Sequence, residues 1–210
     1  MTPVVRWLLL ANVAVFGLQQ LSSDELLIHF ALWPLGSHYV SGAGMVGFEP
    51  WQLITSAFLH GNLPHIALNM YALYAFGSMV ERAMGSRRFA YLYFASVLTG
   101  SLVQLVVVTM ALDQGVAPTV GASGGVFGVL LAFAALFPHA RVLLVIPPIP
   151  MKAWVLVAGY AAIELLSGVF GTSQGVAHFA HLGGMLGAII VLLATGFRGR
   201  TQSRGDIRGP

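Results

Sequence analysis

The sequence contains no cysteine, and charged residues make up only 8% of its 210 residues. Without cysteine the chain can form no disulfide, no thiolate nucleophile and no thiolate metal site. Soluble domains carry about 25% charged residues, so a chain that is 57% hydrophobic has too few polar side chains to cover a soluble surface. These absences indicate a small membrane protein whose outer surface faces lipid.

The basic residues also lack the pattern of a nucleic-acid-binding protein. Such a surface groups its lysines and arginines on one face, with aromatic side chains between them, whereas here the basic residues lie between apolar segments. We therefore expect a lipid bilayer around the chain and no nucleic-acid partner. The sequence does not indicate an oligomeric state.

Charges, glycines and prolines divide the chain into six apolar segments that are candidate membrane spans. They run roughly over 4–21, 63–81, 88–111, 122–137, 151–170 and 176–197. The first follows Met1 to Arg6 without an obvious cleavage site, so we expect it to be retained rather than removed as a signal peptide. Between the first two, Ser22 to Asn62 is apolar but interrupted by prolines and glycines, which favours a re-entrant loop with short helical pieces.

These segments predict an all-α membrane protein with a six-helix domain over 1–197. A basic tail over 198–210 follows, and its composition is typical of a disordered segment. If all six segments span the bilayer, the basic residues fall at the N-terminus, in two alternate connections or in the tail. The positive-inside rule then places both termini in the cytoplasm.

Three polar residues lie at matching distances from the basic ends of the second, fourth and sixth segments. His65, Ser123 and His181 each precede the arginine that ends their segment by 17 or 18 residues. At a rise of about 1.5 Å per residue, each is about 26 Å from that end, near the opposite surface of a hydrocarbon core about 30 Å thick. Asn69 lies one turn from His65 on the same helix face. We expect these residues to form one site just beneath the outer surface.

The fourth segment is too short to cross the bilayer alone. Ser123 to Phe137 spans only about 21 Å as a helix, so Gly115 to Ala122 is predicted to dip into the membrane. Irregular backbone at that depth requires burial in protein or a water-filled cavity. A serine at such a helix start could meet both a peptide and water.

Glycines surround this serine in the stretch GASGGVFG over 121–128. They could allow close helix packing, or bare the backbone N–H groups near Ser123 as donors to an anion. In the sixth segment, Gly184 and Ala188 share a face with His181. Close approach of these two helices would bring the imidazole to the hydroxyl.

These residues resemble the motifs of the rhomboid family of intramembrane serine proteases. The likeness rests on Gly121-Ala122-Ser123-Gly124, on His65 with Asn69, and on Ala180-His181-Leu182-Gly183-Gly184. It covers nearly the whole chain, and the family's features occur in the same order, including Trp51 in the first loop and Glu81, Arg82 and Gly85 at the end of the second segment. The chain resembles the minimal six-helix bacterial form. We therefore expect a multi-pass protein of the bacterial inner membrane.

The resemblance implies a catalytic dyad in which Ser123 attacks the scissile carbonyl and His181 takes and returns the proton. The oxyanion would be held by the backbone N–H of Ser123 and the side chains of His65 and Asn69. Further supporting positions are Gly121, Phe127 and Gly184. The expected substrates are single-spanning membrane proteins cut near the outer surface, and we expect neither a metal nor a cofactor.

Two positions depart from the family pattern. Gln52 stands where the family has arginine, which removes an anchoring charge from the first loop. Phe127 stands where many members have tyrosine; an aromatic ring can still stack on the imidazole, but a hydroxyl hydrogen bond is lost. Neither departure touches the serine or the histidine.

Several alternatives remain open for single residues. Ser123, His181, His65 and Asn69 could be polar residues at helix contacts, and His178 could replace His181 as the base. Glu164, on the fifth segment, could orient His181 in a triad. Interhelical or gate hydrogen bonding is favoured instead, because the family uses a dyad and the fifth helix is its proposed gate. A histidine metal site lacks the glutamate of His-Glu-x-x-His zinc hydrolases.

Two other functions compete with proteolysis. Catalytically silent relatives, which bind membrane clients, typically lack the serine or the histidine that this chain retains. A transporter could also place polar residues at one depth, but transporters usually carry inverted repeats, and the two halves of this sequence share no evident pattern.

Overall fold

A computed structural model describes residues 1–22, 24–110, 116–143, 148–170 and 177–196. Helices dominate these ranges, in the order α1 (Pro3–Leu21), α2 (Glu25–Phe30), α3 (Gln52–Thr55), α4 (Leu63–Ala72), α5 (Ser78–Met84), α6 (Ser86–Met110), α7 (Ser123–Leu136), α8 (Ala153–Phe170) and α9 (His178–Ala194). A 3-10 turn over Ser56–Phe58 follows α3, and a π-helical turn over Leu73–Gly77 joins α4 to α5. The tail predicted over 198–210 lies outside the described residues.

Within the described ranges, α1, α6 and α8 are long and apolar enough to cross a membrane, while α7 and α9 are apolar but shorter. Each of the six apolar segments found in the sequence contains helix. The prediction of a helical membrane architecture is therefore confirmed. The number of spans and the re-entrant first loop stay predictions.

The centre of the bundle is formed by α6, α7 and α9, which meet through glycines. A side-chain carbon added to Gly184 would overlap the carbonyl oxygen of Gly124, and one added to Gly183 would lie 2.9 Å from Gly100 Cα. Small residues of this kind let helix backbones approach closely where lipid offers no hydrophobic driving force for association. This contact brings the first turn of α7 against the N-terminal half of α9.

A buried carboxylate ties α1 to this centre. Glu81 is only 2% exposed, and its Oε2 accepts a hydrogen bond from the Val5 amide at 2.9 Å. Its Oε1 accepts from the Val4 amide at 3.0 Å and from Ser86 Oγ at 2.7 Å. Because the N-terminus of a helix attracts negative charge, the carboxylate joins the start of α1 to the connection between α5 and α6.

Two short hairpins were absent from the all-α prediction. In the first loop, β1 (Ser37–Val40) pairs antiparallel with β2 (Gly44–Gly47), and Gly42 and Gly44 adopt φ values of 84° and 77°. Side chains disfavour this region of φ, so these glycines form a turn rather than merely interrupting a span. A second pair, β3 (Arg141–Leu143) with β4 (Pro150–Lys152), lies between α7 and α8.

Gln52 organises the first loop although it carries no charge. The side chain is 1% exposed, and its Oε1 accepts from the amides of Trp33 and Glu49, each at 3.2 Å. Its Nε2 donates to the carbonyls of Gly47 at 3.3 Å and His29 at 3.4 Å. An arginine has no acceptor atom, so the glutamine reaches backbone N–H groups that an arginine could not bind.

Candidate active site

Ser123 is the first residue of α7, and the loop before it is pinned to the first loop. Thr119 and Leu32 exchange backbone hydrogen bonds of 2.9 and 3.0 Å, and the Gly121 amide donates to the Ser56 carbonyl at 2.9 Å. The first N–H groups of a helix have no intrahelical partner. The backbone N–H of Ser123 can therefore donate a hydrogen bond to an anion.

His181 is in direct contact with this serine. Its Nε2 lies 2.8 Å from Ser123 Oγ, and the residue is only 8% exposed. The Phe127 ring stacks on the imidazole, with centroids 4.2 Å apart and planes within 5°. Tyr160 in turn packs its edge against Phe127 at 6.0 Å. Phe127 therefore orients the imidazole by stacking alone, without the hydroxyl that a tyrosine at position 127 would supply.

His65 approaches the same point from α4. The Gly61 amide donates to its Nδ1 at 3.4 Å, which leaves Nε2 to carry the proton of the neutral ring. A side-chain carbon on Gly121 would lie 2.8 Å from His65 Nε2 and 3.6 Å from Ser123 Oγ. Gly121 also has a φ of 130°, so both its backbone and its missing side chain admit the His65 ring.

Asn69 is buried on α4, one turn after His65. It is 6% exposed, and its Nδ2 donates to the His65 carbonyl at 3.0 Å, one turn earlier in α4. One amide hydrogen is therefore committed to the helix. The second remains available to a bound group.

His60 packs beside the site. It is fully buried, and its ring lies 5.1 Å from that of His65. Burial, and then the nearby His65, lower the pKa of His60 to about 4. His60 is therefore neutral near pH 7, and it serves packing.

A cavity of about 20 Å³ opens beside the serine, enough for one water molecule. Its polar lining includes Ser56, Ser101, Gln104, Thr119 and Ser123. Gln104 Oε1 is buried without a protein partner. Ser101 and Gln104 are not among the site residues predicted from the sequence, although polar residues inside an apolar helix often indicate a functional site.

Glu164 and His178 complete the surroundings of the imidazole. Glu164 Oε2 lies 2.5 Å from His178 Nδ1 and 3.0 Å from His181 Nδ1. His178, considered above as an alternative base, thus contacts the carboxylate. Among the described residues, no group of three or more histidines and carboxylates is arranged to hold a metal ion.

The family model for the rhomboid domain matches residues 47–197. This range contains Ser123, His181 and His65. The chain belongs to the rhomboid family. Its family membership, expected from the motifs, is therefore confirmed.

Known rhomboid relatives are similar over much of this chain. Rhomboid protein 1, mitochondrial, of Saccharomyces cerevisiae is 35% identical over 194 residues, covering 89% of this chain and 51% of that protein. The rhomboid protease GluP of Bacillus subtilis is 31% identical over 150 residues, covering 70% and 26%. RHOMBOID-like protein 12, mitochondrial, of Arabidopsis thaliana is 30% identical over 201 residues, covering 89% and 56%. This rhomboid spans about half the length of these relatives, or less.

The expected localisation in a bacterial inner membrane is wrong. Two of these relatives are named as mitochondrial proteins, and further similar proteins are named as mitochondrial or chloroplastic. The motifs that suggested the bacterial form lie within, or close to, the range that the rhomboid family model matches. Motifs of this kind do not identify which membrane holds the protein.

Proposed function

We propose that this chain is an intramembrane serine endopeptidase that cleaves transmembrane protein substrates through a dyad of Ser123 and His181. The observation that carries the proposal is the 2.8 Å contact between Ser123 Oγ and His181 Nε2. In this proposal the spans are α1, α4 with α5, α6, α7, α8 and α9, and the first loop is re-entrant. The site then lies near the surface opposite the basic ends of the helices.

The proposed reaction has two steps. In the first, His181 Nε2 takes the proton of Ser123 as Oγ attacks the scissile carbonyl, and returns it to the leaving amine, so that an acyl-enzyme forms. In the second, a water molecule gives a proton to the same nitrogen and attacks the ester. As the ester C–O bond breaks, the carboxyl product leaves and His181 returns that proton to Ser123 Oγ. The polar cavity beside Ser123 has room for that water.

A fluorophosphonate probe and a transmembrane substrate test this function together. Purified protein in detergent or vesicles is expected to cleave a fluorogenic single-spanning substrate, and peptide mapping is expected to find the probe on Ser123. Binding of the substrate with neither cleavage nor labelling would indicate a client-binding relative and overturn the proposal. Labelling of a different serine would reject the assigned nucleophile.

In the proposed oxyanion hole, the negative oxygen of the tetrahedral intermediate accepts hydrogen bonds from the Ser123 amide, His65 Nε2 and Asn69. The Gly61 contact supports the role of His65, because Nδ1 as acceptor leaves Nε2–H as donor. The position of Asn69 one turn away supports a second, weaker donor.

His65→Ala is expected to lower kcat by about 10²–10³-fold with little change in KM, because the lost donor acts on charge that develops only in the transition state. Steady-state cleavage of the transmembrane substrate measures both constants. His139→Ala is the matched control, since His139 is exposed beyond the far end of α7, and its kcat should stay within twofold of the parent. A normal kcat in His65→Ala would remove His65 from the site.

A further inference from the structure

Glu164 is a carboxylate within a proposed span, and it is buried, with 8% of the residue exposed. An ionised side chain in the membrane is costly and is usually paired or functional. Glu164 lies on α8, whereas its two neighbours, His178 and His181, are three residues apart on one face of α9. The same carboxylate oxygen contacts both Nδ1 atoms, at 2.5 Å and 3.0 Å.

We propose that Glu164 is a positioning residue for His181, and that His178 holds the carboxylate in place. The inference rests on the proposed function, which it deepens: the dyad becomes a chain of Ser123, His181, Glu164 and His178. The carboxylate stays ionised throughout, and no proton is transferred to it. Its task is to select the tautomer of His181 and to stabilise the imidazolium formed during attack.

The groups on the two sides of the His181 ring determine its tautomer. A neutral imidazole carries one proton, and its other nitrogen is an acceptor. A carboxylate 3.0 Å from Nδ1 favours the proton on that nitrogen. Nε2 is then the acceptor, and it is the atom that lies 2.8 Å from Ser123 Oγ. A base needs this arrangement before it can take the hydroxyl proton.

His178 explains how the carboxylate keeps its place. Its Nδ1 forms the shorter contact with Glu164 Oε2 and has hydrogen-bond geometry. The contact to His181 Nδ1 is close, but its N–H direction is poorly aligned, so that nitrogen makes no hydrogen bond of good geometry. We therefore expect mainly an electrostatic effect, smaller than in a triad whose carboxylate is aligned with the imidazole N–H.

A role in the gate or in helix contact alone would need only the bond between Glu164 and His178. The two roles differ in what they change. A gate controls the entry of a transmembrane substrate, whereas a positioning residue sets the reactivity of Ser123 toward any electrophile. A small fluorophosphonate probe separates them because it requires no substrate helix to enter.

The test compares Glu164→Gln with the parent protein by the labelling rate constant of Ser123 and by kcat and KM for the transmembrane substrate. Glutamine keeps the size of the side chain but removes its charge. Labelling rate and kcat should both fall by about 10- to 100-fold, the range for a contact with a charged group, with KM unchanged. Labelling within twofold of the parent, with or without slower cleavage, would overturn the proposal.

Glu81→Gln is the matched control, because it makes the same change at a buried carboxylate that contacts α1 rather than the site. Its labelling rate, measured where the protein remains folded, should match the parent. If Glu164→Gln does not fold, His178→Gln carries the test, since it removes the anchor and keeps the carboxylate. Slower labelling is expected there too, and a parental rate would contradict the proposal. A parent protein that is never labelled would instead refute the proposed function.

Discussion

Ser123→Ala is expected to lower kcat for cleavage of a transmembrane substrate by at least about 10⁴-fold, and His181→Ala is expected to do the same. In the proposed dyad, the serine supplies the attacking oxygen, and the imidazole removes its proton in the same step. Because the two groups act as one unit, the double variant should be no slower than either single variant. Single-turnover cleavage with excess enzyme measures rates this low.

Ser78→Ala provides the control for this comparison. Ser78 is also buried, at 6% exposure, but it lies on α5 away from the site, and its replacement should leave kcat within twofold. Parental cleavage by Ser123→Ala would refute the nucleophile. A double variant slowed by the product of the two single effects would show that serine and histidine act independently.

Gly184→Ala is expected to destabilise the protein by about 3 kcal/mol or more, at the upper end of overpacking effects. The added methyl group would overlap the Gly124 carbonyl, and backbone atoms cannot rotate aside as a side chain can. Reversible unfolding in mixed detergent micelles measures the loss. Cleavage should fall with the folded fraction.

The matched variant is Gly159→Ala on α8. No atom lies within 4 Å of the added carbon, so the alanine should change stability by about 0 to 1 kcal/mol in the favourable direction, through helix propensity alone. Equal stability of the two alanine variants would contradict the close contact between α7 and α9. If Gly184→Ala and Gly159→Ala both failed to fold, α9 and α8 alike would be intolerant of an added methyl group.

Two features could be predicted from the sequence because they depend only on the order and spacing of residues. They are the helices and the proximity of three polar residues. Hydrophobic length indicates a helix, and counting residues from the basic ends placed His65, Ser123 and His181 at one level. The structure brings these three together. Depth alone does not distinguish a contact from a near neighbour, however, and the side chain of Asn69 donates to the His65 carbonyl.

Other features depend on rotation and loop geometry, which a residue count does not contain. Which face of α8 meets α9 decides whether Glu164 reaches an imidazole, and the apolar pattern of α8 does not indicate that face. The first-loop hairpin depends on positive φ at glycines that also fit an irregular loop. The charge pattern bears on sidedness and carries no information on which membrane is occupied, so the bacterial assignment had no physical basis.

The glycine contacts among α6, α7 and α9 have a mechanical consequence. Because the backbones of α7 and α9 contact each other directly, little compressible side-chain volume separates the two helices. Exposed apolar residues such as Leu165 and Val169 leave the outer face of α8 free to adjust. A thinner or thicker bilayer would therefore change the tilt of α8, and with it the contact between Glu164 and His181, before it altered the spacing between Ser123 and the imidazole.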